Sequence, residues 1–195
     1  QKSIIPMTRI YKREEFCPQG DLKRDTVLEF VNEAKLQAAI DAAMAQGNSR
    51  AIIVAYDTLL NWESYGDGFD INTPILGWSM SKSITSTMIG ILAKQGKLNI
   101  DGPAPVKEWS KDSRKNISIR NLLQMTSGLQ WVEDYGDISE ATIMLYSSTD
   151  IAKYAISVPS AFPPDSVWYY SSGSSNILSE IIKRQFADIK DYWTF

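Results

Sequence analysis

Ser79-Met80-Ser81-Lys82 stands between a loop ending in Gly77-Trp78 and a helical pattern that runs on to Gln95. Ile84, Met88, Ile89, Ile91 and Leu92 give that pattern its apolar side, and Gly96 is a suitable residue for ending it. The spacing predicts a helix over about 79–95 with Ser79 at its start. Side chains three residues apart on a helix share a face, with Cβ atoms roughly 5–6 Å apart. Ser79 and Lys82 are therefore expected side by side. The start of a helix also offers free N–H groups and the positive end of the dipole, which favour developing negative charge. A serine hydroxyl is a poor nucleophile unless a base sits beside it. A lysine desolvated enough to give up its proton can be that base. Taken alone, the tetrad is more simply read as a chance match with Ser79 as a plain helix cap.

What the chain lacks makes the lysine matter. Its 195 residues contain no His, so it can build no Ser-His-Asp triad, Cys-His pair or His-ligated metal site. Cys17 is the single cysteine, which excludes an intrachain disulfide and a cysteine zinc site. No metal or organic cofactor is implied. The hydrophobic share of 44% and charged share of 22% are those of a globular chain able to bury a core. Lys+Arg 20 against Asp+Glu 23 gives a net charge of −3 with the signs mixed, so no basic face for nucleic acid or an anionic membrane is expected. No apolar run approaches the ~18 residues of a membrane span.

Outward from the tetrad, residues 1–30 read as a charged, irregular arm. A helical pattern follows from about Val31 to Gln46, with Leu36, Ala39, Ile40, Ala43 and Met44 on one face and Gly47 as its stop. Ala51–Tyr56 and Leu59–Tyr65 read as two strands around a tight turn at Asp57-Thr58. After the tetrad helix come Ile117–Met125 as a short helix, helical segments near Ser139–Tyr146 and Thr149–Ile156, and a helix over Ser174–Phe186. Ser148, Thr149 and Asp150 offer caps. Two strands against five or six helices is an unbalanced count, because a two-stranded sheet is marginal by itself. A second polar-aromatic motif is Trp168-Tyr169-Tyr170-Ser171-Ser172-Gly173, just before the last helix. A tyrosine in such a loop can shuttle protons if a cation sits beside it. An aromatic cluster capping a core would look the same.

Together these features resemble the penicillin-recognising serine hydrolases of the class C β-lactamase, esterase and DD-peptidase type. The order of motifs matches: the strand pair, Ser79-Met80-Ser81-Lys82, Gly96–Asp101, Ile117–Leu129 and Pro164–Ser172. The segment ending in Thr126-Ser127-Gly128-Leu129 is the most diagnostic, because no general physical rule produces it. In the family it packs beside the nucleophile helix, which implies a structural role. Within the family, Leu123–Tyr135 is most similar to the 6-aminohexanoate-dimer hydrolase branch, which cleaves small amides and esters. The resemblance implies Ser79 as acylating nucleophile, Lys82 as its proton partner and Tyr170 as second general base or acid. Tyr135 matches a tyrosine that in that branch contacts the substrate nitrogen.

Two departures qualify the match. The family reads Tyr-x-Asn where this chain has Tyr170-Ser171-Ser172, so Ser172 holds the Asn place. A serine reaches less far than an amide, and β-lactam recognition through that position is not expected. The family's third motif, Lys-Thr-Gly or His-x-Gly on a central strand, is absent. That strand also supplies one of two oxyanion-hole N–H groups.

The expected fold is α/β and β-lactamase/transpeptidase-like: an antiparallel sheet flanked by helices plus a mostly helical region, of which this chain is an incomplete part. Residues 1–30 form the arm, 31–78 the helix and strand pair, and 79–195 the helical region, with the C-terminal strands supplied by a companion chain or a C-terminal half. The expected function is hydrolysis of a small-molecule amide or ester through an acyl-enzyme. The alternatives are β-lactamase or DD-peptidase activity, and a non-catalytic binding module that retains the fold. The start, Gln1-Lys2-Ser3-Ile4-Ile5-Pro6, has neither initiator Met nor signal h-region, so either a leader has been removed or the chain has been trimmed. A periplasmic or secreted location is favoured over a cytoplasmic one.

Overall fold

A computed structural model describes residues 15, 29–56 and 59–195, with only the backbone of 59–61. Most of the arm, including Cys17, and the turn at Asp57-Thr58 lie outside the described residues. The chain divides into two compact units, one ending at Ile75 and one running from Leu76 to Phe195.

The first unit holds helix α1 (Glu33–Met44) and an antiparallel pair, β1 (Ala51–Tyr56) and β2 (Leu59–Tyr65). Asn32 caps α1 by accepting the Lys35 N–H at 3.0 Å. The strand register runs from Ala51 opposite Tyr65 to Tyr56 opposite Leu59, with an irregularity between Val54 and Ala55. Ile53 and Tyr56 of β1 are exposed, and the two-stranded ribbon has no further strand paired to it among the described residues.

The second unit is helical. A 3₁₀ turn, Trp78–Met80, leads into α2 (Ser81–Lys94). Then come α3 (Ile119–Leu123), the single turn α4 (Glu140–Thr142), α5 (Ile151–Ser157), α6 (Ser172–Lys183) and α7 (Ile189–Thr194). Helix α6 is the hub and packs on α2, α3 and α5. Its Ile177, Leu178, Ile181 and Ile182 are buried against Ile89 and Leu92 of α2, Leu122 of α3 and Ile156 of α5. Local chemistry fixes several of these starts. Ser118 and Asn121 form a reciprocal capping box on α3, Asp150 caps α5 and Ser171 caps α6.

Three expectations from the sequence change, and one element is added. Helix α2 begins at Ser81, so Ser79 sits in the preceding 3₁₀ turn, and Trp78 holds a positive φ of 43°. Of the expected apolar side of α2, Ile89 and Leu92 are buried while Ile84 and Ile91 are exposed. The segment 139–147 is α-helical for one turn and then π-helical over Ile143–Ser147. The aromatic end of the chain folds into α7, with the Phe186 ring 6.0 Å from Tyr192 and 5.1 Å from Phe195.

The segment Thr126–Leu129 is a clasp. Thr126 O accepts the Asp165 N–H, Gly128 O accepts the N–H groups of Ala161 and Phe162, and Met125 O accepts the Tyr169 N–H. Asp165 takes two further donors on one oxygen, Asn121 Nδ2 at 2.6 Å and Thr126 Oγ1 at 2.8 Å. These bonds hold residues 161–169 against the end of α3, and Tyr170 follows directly.

Candidate active site

Three side chains meet above the start of α2. The Tyr170 hydroxyl donates to Ser79 Oγ at 2.8 Å, and Lys82 Nζ donates to the same oxygen at 3.3 Å. Lys82 Nζ also lies 4.8 Å from the centre of the Tyr170 ring, within cation–π range. Ser79 makes no capping bond to the helix, which removes the plain-cap reading of its hydroxyl. Ser79 is exposed, whereas Lys82 and Tyr170 are half-buried. A hydroxyl open to approaching molecules thus sits between an amine and a phenol, each able to hold or pass its proton.

Lys82 has a second partner. Its Nζ donates to Ser172 Oγ at 3.0 Å, so the short serine in the Asn place does reach the lysine. Ser172 is the first residue of α6, and its position follows from tight packing beneath it. A Cβ on Gly173 would stand 2.5 Å from the Trp131 ring, so only glycine lets the start of α6 approach that indole. Tyr135 lies 3.4 Å from Ser172 Oγ through its hydroxyl. The structure therefore brings Ser79, Lys82, Tyr170, Ser172 and Tyr135 into one cluster. A cleft of about 200 Å³ opens beside it, with Trp78, Ser79, Lys82, Tyr135, Met144 and Ser172 in its wall.

One residue of the cluster escaped the reading of the sequence. Glu133 accepts the Ser172 N–H at 2.8 Å, the Ser172 hydroxyl, the Tyr135 hydroxyl at 2.6 Å and the Trp131 indole N–H. Burial pushes its carboxyl pKa up, but these four donors outweigh burial and hold it below the ordinary carboxylate value. Burial and the Glu133 carboxylate together push the Tyr135 phenol up, so Tyr135 keeps its proton at neutral pH. The only available signal in the sequence was an acidic residue two positions before a singled-out tyrosine. No grouping of His, Cys, Asp and Glu among the described residues could hold a metal ion. No helix among them is long and apolar enough to cross a membrane.

A family model described as Beta-lactamase matches residues 36–192 of the chain, which takes in the whole cluster. The chain belongs to the beta-lactamase family. Two solved structures share the fold of this family member. One, from Bacillus anthracis, is assigned as a 6-aminohexanoate-dimer hydrolase; it is 19% identical at a TM-score of 0.65, over 76% of this chain and 43% of that one. The other, from Bacteroides dorei, is assigned as a beta-lactamase; it is 22% identical at a TM-score of 0.62, over 78% of this chain and 46% of that one. The chain thus spans less than half the length of these two solved relatives. None of the curated proteins matches it. The fold is β-lactamase-like, with helices and a small antiparallel sheet, and the family is one of hydrolases.

Proposed function

We propose that this chain carries the nucleophile and proton-transfer groups of a serine hydrolase that cleaves small amides or esters through an acyl-enzyme. The observation that carries the reading is the placement of one exposed serine oxygen within hydrogen-bond reach of both Lys82 Nζ and the Tyr170 hydroxyl. Ser79 Oγ attacks the carbonyl carbon, and its proton passes to the Lys82 amine. The tetrahedral intermediate collapses as the leaving nitrogen or oxygen takes a proton through Tyr170. Water then attacks the acyl-enzyme, with the same two groups acting in reverse. The Ser79 N–H supplies one oxyanion donor. A strand outside this chain, in the whole protein or a companion, supplies the other together with the third motif. Losing one such donor costs about 10²–10³ in rate.

The test uses the intact gene product that contains this chain. A fluorophosphonate probe should label Ser79 alone, as read by peptide mapping of the adduct. Label on Ser171 or Ser172, or no label on protein that hydrolyses esters, removes Ser79 from the mechanism. Nitrocefin beside p-nitrophenyl esters and anilides separates β-lactamase activity from amide or ester hydrolysis.

Tyr135 adds a prediction about substrate preference. An amide nitrogen must gain a proton to leave, whereas an activated ester oxygen leaves unaided. With its proton given to Glu133 and its oxygen beside Ser172, Tyr135 is placed to accept from the substrate N–H, a group an ester lacks. Tyr135→Phe should lower anilide turnover by about tenfold, one lost hydrogen bond, and leave p-nitrophenyl ester turnover within twofold. Equal losses on both substrates would assign Tyr135 to packing.

A further inference from the structure

We infer that Glu133 is a positioning residue for Lys82, acting through the Ser172 hydroxyl. The inference rests on the serine-hydrolase reading of Ser79 and Lys82 and adds to it a residue that touches neither. It follows from counting donors and acceptors. Ser172 Oγ has one proton and two lone pairs. Its proton goes to Glu133 Oε1, so only lone pairs remain to face Lys82 Nζ at 3.0 Å. The chain of bonds is therefore directional, from Lys82 N–H to Ser172 oxygen and from Ser172 O–H to Glu133. A carboxylate is the one side chain that can accept from four protein donors while donating nothing. It does so at the first turn of α6, where the free Ser172 N–H and the helix dipole also favour negative charge.

Lys82 needs this help because its stem is long and its other contacts are weak. Its bond to Ser79 is 3.3 Å, and its contact with Tyr170 is to a ring face. The Ser172 acceptor fixes where Nζ stands relative to Ser79. With an amide in place of the carboxylate, an NH₂ group would face the Ser172 and Tyr135 hydroxyls. Ser172 would then turn to accept from it and point its own proton at Nζ, displacing the amine from Ser79.

The experiment follows the rate of fluorophosphonate labelling of Ser79 in the intact gene product, with a thermal melt for each variant. Glu133→Gln should slow labelling by about ten- to a hundredfold, the worth of a hydrogen bond to a charged group. Glu133→Asp keeps an acceptor-only group one methylene shorter and should recover at least a third of the wild-type rate. A packing role predicts the opposite ranking, because glutamine is the closer match in shape. Ser172→Ala should slow labelling as much as Glu133→Gln, and adding Glu133→Gln to Ser172→Ala should change the rate less than twofold. Labelling at the wild-type rate in Glu133→Gln, a better rate in Gln than in Asp, or additive losses in the double variant would each overturn the inference. Should Glu133→Gln fail to fold, Ser172→Ala labelling at the wild-type rate would overturn it by itself. Failure of the underlying reading looks different: wild-type protein would then leave Ser79 unlabelled, and both conclusions would fall.

Discussion

Lys82→Ala slows acylation of Ser79 by about 10²–10⁴-fold, the usual worth of a positioned general base, in protein that still folds. The side chain stands at the first turn of α2, half-buried and outside the core formed by Ile89 and Leu92. Its loss removes two hydrogen bonds and one contact with the Tyr170 ring, on the order of 1 kcal/mol of stability for an amine still open to water. Lys82→Arg should not rescue the rate. A guanidinium keeps its proton throughout the range in which proteins work, so it can donate to Ser79 and Ser172 but cannot take a proton from Ser79. Fluorophosphonate labelling against time, with a thermal melt on the same samples, reads both effects. Near-normal labelling of either variant would take Lys82 out of the proton-transfer step.

Gly128→Ala should destabilise the helical unit strongly, by about 2–5 kcal/mol. Gly128 has a φ of +71°, and a Cβ there would lie 2.2 Å from the Phe162 carbonyl oxygen and 2.9 Å from its carbon. The left-handed backbone alone costs a residue with a Cβ about 1–2 kcal/mol. The contact is with backbone that cannot swing aside, and relieving it costs about 1–3 kcal/mol more. Gly96→Ala is the control. Its φ is +72°, and nothing lies within 4 Å of the added Cβ, so only the backbone cost applies. Urea unfolding of the intact gene product should therefore show Gly128→Ala losing at least twice as much as Gly96→Ala. Labelling of Ser79 should fall as well, because residues 161–169, which Gly128 holds through two hydrogen bonds to its carbonyl oxygen, lead straight into Tyr170. Equal losses at the two glycines would mean that the clasp gives way at little cost.

The clasp also explains what the Thr126–Leu129 segment does. The resemblance placed it beside the nucleophile helix. In this chain its hydrogen bonds go to Asn121 of α3 and to residues 161–165, and it reaches the site by setting where Tyr170 begins. Met125 and Asp165, both non-glycine residues at positive φ, flank this exchange of backbone bonds. Nothing in their local sequence announces that conformation, because the partners that stabilise it lie about forty residues away.

Local rules carried the reading of this chain a long way. The spacing of Ser79 and Lys82, the cap Asp150 and the strand pair all depend on residues within a few positions of each other. For such features backbone geometry leaves few choices, so the sequence by itself determined them. The start of α2 moved by two residues because Trp78 takes a positive φ and tightens the entry turn. Only the tertiary structure decided which distant groups meet at that turn. Tyr170 comes to Ser79 across 91 positions, Ser172 to Lys82 across 90, and Glu133 to Ser172 across 39. Those meetings depend on how α6 packs on α2 and on the close approach that Gly173 permits to Trp131. Glu133 was invisible for that reason: a carboxylate in a polar loop is ordinarily a solvated charge, and it becomes a half-buried acceptor for four donors only when folding carries the first turn of α6 to it.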